Sequence, residues 1–268
     1  MQKVVLITGG SSGIGKAVGE YLQQKNHIVY GTSRLPQRCP DSAFPLLELD
    51  VTQPQTIAKA VATVLKNEGR LDVLINNAGV GIAGPMEETP TEEIRNAFET
   101  NFYGPLHVIK AVLPKMREQQ CGMIINITSI AGYMGLPYRG VYSATKAALA
   151  IATEAYRTEL KQFNIQMTNV APGDFATNIA AGRYHAPLLE RSPYRKDYGG
   201  MLKTMNGHVK SGKDPAQMAE KIFDIINTAN PPVNHKVGAF MQKFSIVLKR
   251  VLPSKTYERI LMRHYKLK

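Results

Sequence analysis

The chain has 268 residues, 44% of them hydrophobic, which fits one large α/β domain able to bury a full core. Its net charge of +12 raises nucleic acid or an anionic membrane surface as a partner, but no recognised nucleic-acid module accompanies the charge, so no nucleic-acid partner is expected. No run reaches about 18 uninterrupted apolar residues and the N-terminus leads straight into a strand, so the chain reads as cytoplasmic and not membrane-spanning. Cys39 and Cys121 are too far apart for metal-ligand spacing and too few for a disulfide framework. They read as free thiols, and no metal is expected.

In chain order, the apolar run Val4-Val-Leu-Ile7 reads as a buried strand. It breaks at Thr8-Gly9-Gly10-Ser11-Ser12-Gly13-Ile14-Gly15, and Lys16 to Leu22 follows at helical spacing. Strand, glycine turn and helix is the geometry that points backbone N–H groups at a dinucleotide pyrophosphate. A second strand, His27–Gly31, ends in Thr32-Ser33-Arg34. That place reads the adenosine ribose; it holds no carboxylate for a 2′-hydroxyl, and the Arg34 guanidinium suits the 2′-phosphate of NADP(H). Phe44–Val51 reads as a third strand with Asp50 at the adenine edge, and helical spacing resumes from Thr56 to Lys66.

Leu71–Ile75 is a fourth strand, closing in Asn76-Asn77-Ala78-Gly79, where the carboxyl edge of the sheet should face ligand. The spacing predicts one long helix over Thr91–Lys115 with Asn101 inside it. A buried amide there either caps something structural or serves a site. Gly122–Ser129 is a fifth strand, Tyr142 begins a helix reaching Leu160, and Ile165–Val170 is a sixth strand running into Ala171-Pro172-Gly173. Such alternation implies a doubly wound parallel sheet, which Asn234–Gly238 can extend to seven strands. Between them, residues 178–213 lapse into a long loop of the kind that forms lids. Its Tyr184, Leu188, Leu189, Tyr194, Tyr198, Met201 and Leu202 offer apolar surface for a pocket. Asp214-Pro215 then caps a helix through Ile226.

A Tyr with a Lys four residues on occurs twice, at Tyr21…Lys25 and Tyr142…Lys146. The second pair is singled out by Ser129 upstream and by the glycine turn. At i and i+4 the pair shares one helical face, and a cation beside a phenol favours the phenolate. Tyr142 can then give a proton to a carbonyl oxygen while Ser129 hydrogen-bonds the same oxygen.

With these parts in order, the chain resembles the short-chain dehydrogenase/reductases over roughly residues 3 to 238. The resemblance rests on Thr8-Gly9…Gly13-Ile14-Gly15, Asp50, Asn76-Asn77-Ala78-Gly79, Asn101, Ser129, Tyr142…Lys146 and Pro172-Gly173…Thr177, with no departure from the catalytic set. It implies a Rossmann catalytic domain over 1–238 and a Ser129-Tyr142-Lys146 site with Asn101 as a fourth member. Lys146 would also hold the nicotinamide ribose, and Asn101 would anchor a water in the proton relay. NADP(H) would lie along Gly9, Ser11, Ser12, Gly13, Ile14, Gly15, Ser33, Arg34, Asp50, Val51, Asn77, Ala78 and Gly79. Its carboxamide would meet Thr177 and the backbone at Pro172 and Gly173. A homo-oligomer, dimer or tetramer, is implied too, paired through the helices that carry Asn101 and Tyr142.

Within the family, Ala131–Pro137 and Ala171–Thr177 look most like the 17β-hydroxysteroid and retinol dehydrogenases and the related lipid keto-reductases, which implies a lipophilic ketone or alcohol as substrate. Two alternatives stand beside this: a reductase of small acyl or polar ketones, and an NADP-sensing regulatory protein without turnover. The last kind typically lacks the Tyr or the Lys, and both are present here.

The end of the chain, 239–268, is a separate basic extension. Lys243, Lys249, Arg250, Lys255, Arg259, Arg263, Lys266 and Lys268 face the single acid Glu258, giving +7. Apolar residues from Phe240 to Leu252 recur at helical spacing, Pro253 interrupts, and a second amphipathic segment follows. Such a tail can lie peripherally on an anionic membrane or pack as a helix pair on the body.

Overall fold

The computed structural model describes residues 1–176, 182–210 and 212–267. The first apolar run forms β1 (Val4–Ile7), buried on both faces, and the glycine turn feeds α1 (Gly13–Gln24). The helix buries Gly15, Val18, Gly19 and Leu22, one stripe at helical spacing. β2 (Ile28–Ser33) and β3 (Leu46–Glu48) follow; the third strand is shorter than the apolar pattern predicts, ending before Asp50. α2 (Pro54–Glu68) opens on a proline and stops at Gly69, whose φ of 70° is the left-handed cap that glycine tolerates. After β4 (Val73–Asn76) comes the two-residue β5 (Ile82–Ala83).

The helix expected over Thr91–Lys115 is interrupted. α3 (Thr91–Phe98) and α4 (Gly104–Glu118) are joined by a π-helical turn, Glu99–Tyr103, with the fully buried Asn101 at its centre. β6 (Gly122–Ile127), α5 (Gly140–Glu159) and β7 (Ile165–Pro172) complete the expected order. The stretch expected as a loop contains β8 (Tyr184–His185) and α6 (Arg195–Lys210). α7 (Ala216–Ile226), β9 (Asn234–Val237), α8 (Phe240–Val251) and α9 (Ser254–His264) end the chain.

Seven strands form one parallel sheet in the order β3-β2-β1-β4-β6-β7-β9. α1 and α7 cover one face, where Val18, Leu22, Met218 and Ile222 pack on Val5, Ile7 and Ile75. α2 and α4 cover the other, with Ile57, Val61, Val108 and Val112 on Leu6, Leu74 and Ile124. This is the doubly wound α/β fold, whose strand order reverses beside β1 and places ligands at the carboxyl ends of the strands. A buried polar ladder ties the centre together: Asn76 donates to Asn126 (2.9 Å) and Asn126 to Thr153 (2.8 Å), linking β4, β6 and α5.

The basic end folds back on the sheet. Ile246 and Tyr257 are buried against Ile130, Met134 and Ala171. Gln242 stitches α8 down, its amide donating to Asp174 Oδ2 (2.7 Å) while its oxygen accepts from the Ala239 amide (3.2 Å). Among the described residues no helix is long and apolar enough to cross a membrane.

Candidate active site

The expected dinucleotide contacts among the described residues fall in five groups after β1, β2, β3, β4 and β7, whose carboxyl ends parallel pairing brings to one edge. The turn after β1 is built for close approach. Gly9 and Gly13 have φ of 66° and 54°, and a Cβ on Gly15 would lie 2.3 Å from the Gly9 carbonyl oxygen and 2.5 Å from Asn77 Nδ2. Asn77 locks the turn by donating to the carbonyls of Thr8 and Gly9, each at 3.0 Å. The Thr8 hydroxyl accepts from the amides of Asn77 and Ala78. Thr32 at the end of β2 holds Gly9 and Gly10 from the other side. Ser11 and Ser12 close the loop, and the Ser12 carbonyl accepts the first helical amide, from Lys16. A rigid turn whose glycines leave no room for a Cβ at Gly10 or Gly15, opening onto a 12-residue helix, fits a pyrophosphate.

Ser33 caps the bend after β2, accepting from the Leu35 amide at 3.2 Å, and Arg34 is exposed beyond it. Asp50 spends one carboxylate oxygen on Thr52, which donates twice, while Val51 is buried against Gly104. Pro172 and Gly173 lie at the end of β7, where a Cβ on Gly173 would run into Gln242 of α8. Thr177 lies outside the described residues.

The four expected catalytic residues converge from different elements. Tyr142 and Lys146 share the buried face of α5, and Ser129 follows β6. The Ser129 hydroxyl accepts from the Ala131 amide (3.1 Å), starting a short 3-10 turn. Lys146 Nζ donates to the Ile127 carbonyl (2.9 Å), and burial pulls its pKa from 10.5 down to about 8. Asn101 grips Val80 with both ends of its amide: Oδ1 accepts from the Val80 amide (2.8 Å) and Nδ2 donates to the Val80 carbonyl (2.9 Å), and Nδ2 donates as well to the Thr145 hydroxyl of α5 (3.2 Å). That grip on the strand-end loop accounts for the π turn, since the extra residue swings Asn101 toward Val80. A methyl added at Gly79 would sit 3.1 Å from Asn101 Oδ1 and 3.4 Å from Lys146 Nζ, so glycine keeps the space between the two polar atoms open.

Tyr21 and Lys25, the other matching pair, stack on Phe223 of α7 on the outside of the sheet, with Lys25 Nζ 5.2 Å from the Tyr21 ring centre. They are packing, not chemistry.

Ser129 and Tyr142 open onto a cavity of about 460 Å³. Its walls differ from the expectation for residues 178–213. Tyr198, Met201 and Met205 form a small core of their own with Ala83 and Ala186, fixed by the Tyr198 hydroxyl bonding to the carbonyls of Ala83 and Ala186. The apolar wall comes instead from Met134 and Leu136 and from the last two helices, through Leu248, Tyr257, Ile260 and Leu261. Sequence reasoning also missed Arg139 and Arg183, which line the same space. Arg139 stands three residues before Tyr142 and signals itself by that spacing, whereas nothing local marks Arg183.

The model for short chain dehydrogenase matches residues 3–187. The chain belongs to that family. It is therefore an oxidoreductase. A 3-ketodihydrosphingosine reductase of Bacteroides thetaiotaomicron is 38% identical over 267 residues, covering 99% of each chain. A short-chain dehydrogenase from Streptomyces avermitilis superposes with a TM-score of 0.80 at 33% identity, covering 98% of this chain and 97% of that one. ElxO, solved with NADP bound, gives 0.69 at 29% identity over 88% of this chain and 96% of its own.

Proposed function

We propose that this short-chain dehydrogenase is an NADPH-dependent reductase of a lipophilic ketone, a long-chain 3-keto lipid of the kind named for its Bacteroides relative. The observation that carries this reading is the apolar cavity on which Ser129 and Tyr142 open, walled by the C-terminal helices. The bound dinucleotide supplies a hydride to the carbonyl carbon. Tyr142 holds the proton that the carbonyl oxygen receives. Ser129, already accepting from Ala131, has its own proton to donate to that oxygen as charge develops there. Lys146, with a pKa near 8, can replace the proton at Tyr142 and hold the nicotinamide ribose. Asn101 fixes the loop after β4 and has a second lone pair on Oδ1 for the relay water. Incubation with NADPH and 3-ketodihydrosphingosine tests the reading: NADPH-dependent formation of the 3-hydroxy product is expected, and equal turnover of small polar ketones alone would favour the alternative substrate class.

Arg34, exposed beside the ribose position and without a neighbouring carboxylate, supports NADP(H) over NAD(H). Ser33→Asp with Arg34→Ala is expected to lower the NADPH-to-NADH ratio of kcat/KM by about 100-fold, because an acid repels the 2′-phosphate and accepts from a 2′-hydroxyl. An unchanged ratio refutes the assignment.

The tail supports a place for the enzyme on anionic membrane. Phe240, Phe244, Val247 and Val251 make one outward stripe on α8, 72%, 38%, 47% and 74% exposed, with the two phenyl rings stacked at 5.7 Å. Lys243 and Arg250 border the stripe, and a second copy bringing its own +7 tail to this face would be repelled. Met241 and Ile260 are exposed and also line the cavity, so the docked face and the pocket entrance coincide. Phe240→Ser with Phe244→Ser is expected to cut co-sedimentation with phosphatidylglycerol-containing vesicles at least about 10-fold; equal, negligible binding by both proteins ends the membrane reading. Pairing into a homo-oligomer is proposed through the other side, where Tyr103 and Ile151 stand exposed on the helices flanking the site.

A further inference from the structure

The catalytic account leaves two cations in the cavity without work. Arg183 precedes β8, which lies alongside β5 with Tyr184 opposite Ile82. Its stem packs on Gly81 so closely that a Cβ there would stand 2.9 Å from Arg183 Cγ. The guanidinium is half-buried, and its Nη1 is closed off from solvent with no hydrogen-bond partner among the described residues. Arg139 lies over the Tyr142 ring, 5.4 Å from its centre, and lines the cavity with Tyr265 near the end of the chain. Burial and the neighbouring Arg139 both push the Arg183 pKa down, with Tyr142 and Asp174 opposing.

A buried N–H without an acceptor costs the folded state the full desolvation of that group, and two guanidiniums in one cavity repel, which the Asp174 carboxylate lining the same cavity offsets only in part. A ligand oxygen relieves both. Arg183 is seated on Gly81 beside β5 and shares the cavity with Ser129, Tyr142 and the apolar residues of the last two helices, while Lys146 is tied to the Ile127 carbonyl.

We infer that Arg183, supported by Arg139, forms the polar end of the substrate pocket and binds an acceptor oxygen carried close to the reacting carbonyl, either a hydroxyl or an anionic carboxylate or phosphate. The inference rests on the keto-lipid reading for the position of the substrate, and it narrows that class. The substrate is an amphiphile with an oxygen-bearing head at the arginines and its chain along Leu248, Ile260 and Leu261, not a plain hydrocarbon ketone. Arg183 is then a specificity-determining residue, not a catalytic one.

Binding to the NADP⁺-loaded enzyme tests this apart from turnover. Calorimetry would compare dodecan-3-ol, dodecane-1,3-diol and 3-hydroxydodecanoate on the wild type, Arg183→Met and Arg183→Lys. The wild type is expected to bind the diol or the carboxylate at least about 10-fold more tightly than the plain alcohol. Arg183→Met should lose that preference while binding dodecan-3-ol and NADPH as before, which also reports that it is folded. Arg183→Lys should keep part of the preference for the carboxylate if the head is anionic, and little if it is a hydroxyl. A wild type that fails to prefer either head, an Arg183→Met variant that keeps the preference, or a variant whose principal defect is in NADPH affinity would each overturn the inference. A head-group preference that persists in an enzyme reducing no long-chain ketone would instead sink the proposed reaction and leave the binding site standing.

Discussion

Tyr142→Phe is expected to lower kcat by about 10³-fold or more with the KM for NADPH unchanged, since removing a general acid typically forfeits about 10²–10⁴. The phenyl ring keeps the volume of the phenol and the contact beneath Arg139, 5.4 Å from the ring centre, so the cavity and the cofactor edge stay as they are. Only the proton is lost. Stopped-flow NADPH oxidation separates the two effects: a burst of binding without turnover supports the assignment, and turnover within a few-fold of wild type removes Tyr142 from the chemistry.

Lys146→Met is expected to abolish turnover to a similar degree and, separately, to change how stability responds to pH. Burial lowers the folded pKa of Lys146 from 10.5 to about 8. Between those values the unfolded chain binds the extra proton, so wild-type stability gains with rising pH across that window. Below pH 8 the buried charge costs the folded state about 3 kcal/mol. Methionine has no proton to bind. The difference in unfolding free energy between wild type and variant should therefore shift in favour of the wild type by about 3 kcal/mol from pH 7.5 to 10.5. Denaturant titrations of both apo proteins at the two pH values measure it. A constant difference means that Lys146 is not buried as a cation.

Much of the fold was legible because it is written in local patterns. The Val4–Ile7 run, its glycine turn and the stripe of α1 appear where periodicity and turn chemistry place them, and the order of strands follows from β–α alternation. Asn101 was legible as a problem, a costly amide inside a helix. Its solution was not, because the partners of the amide, Val80 in the loop after β4 and Thr145 on α5, lie far from it in sequence.

Other parts depended on contacts far apart in sequence. The periodicity of Phe240–Leu252 predicts an amphipathic helix but not what its inner side covers. Gln242 meeting Asp174, 68 residues away, decides that the tail walls the cavity. Composition alone offers the apolar residues of 184–202 as pocket surface. Tyr198 and Met201 instead turn inward, with Tyr184, Tyr194 and Leu202 packed against them, and the Tyr198 hydroxyl finds two carbonyls from separate segments, Ala83 and Ala186; Leu188 and Leu189 stay exposed. Arg183 carries no local signature at all; its importance appears only when β8 pairs with β5 and seats it on Gly81.

The reduction itself tests the central claim most directly. Purified enzyme, NADPH and 3-ketodihydrosphingosine in mixed micelles would be followed by absorbance and by mass spectrometry of the lipid. The account predicts one NADPH oxidised for each 3-hydroxy product formed, with the reaction lost in Tyr142→Phe. It is contradicted if the wild type oxidises no NADPH with any long-chain ketone, or if product forms equally well without the Tyr142 hydroxyl.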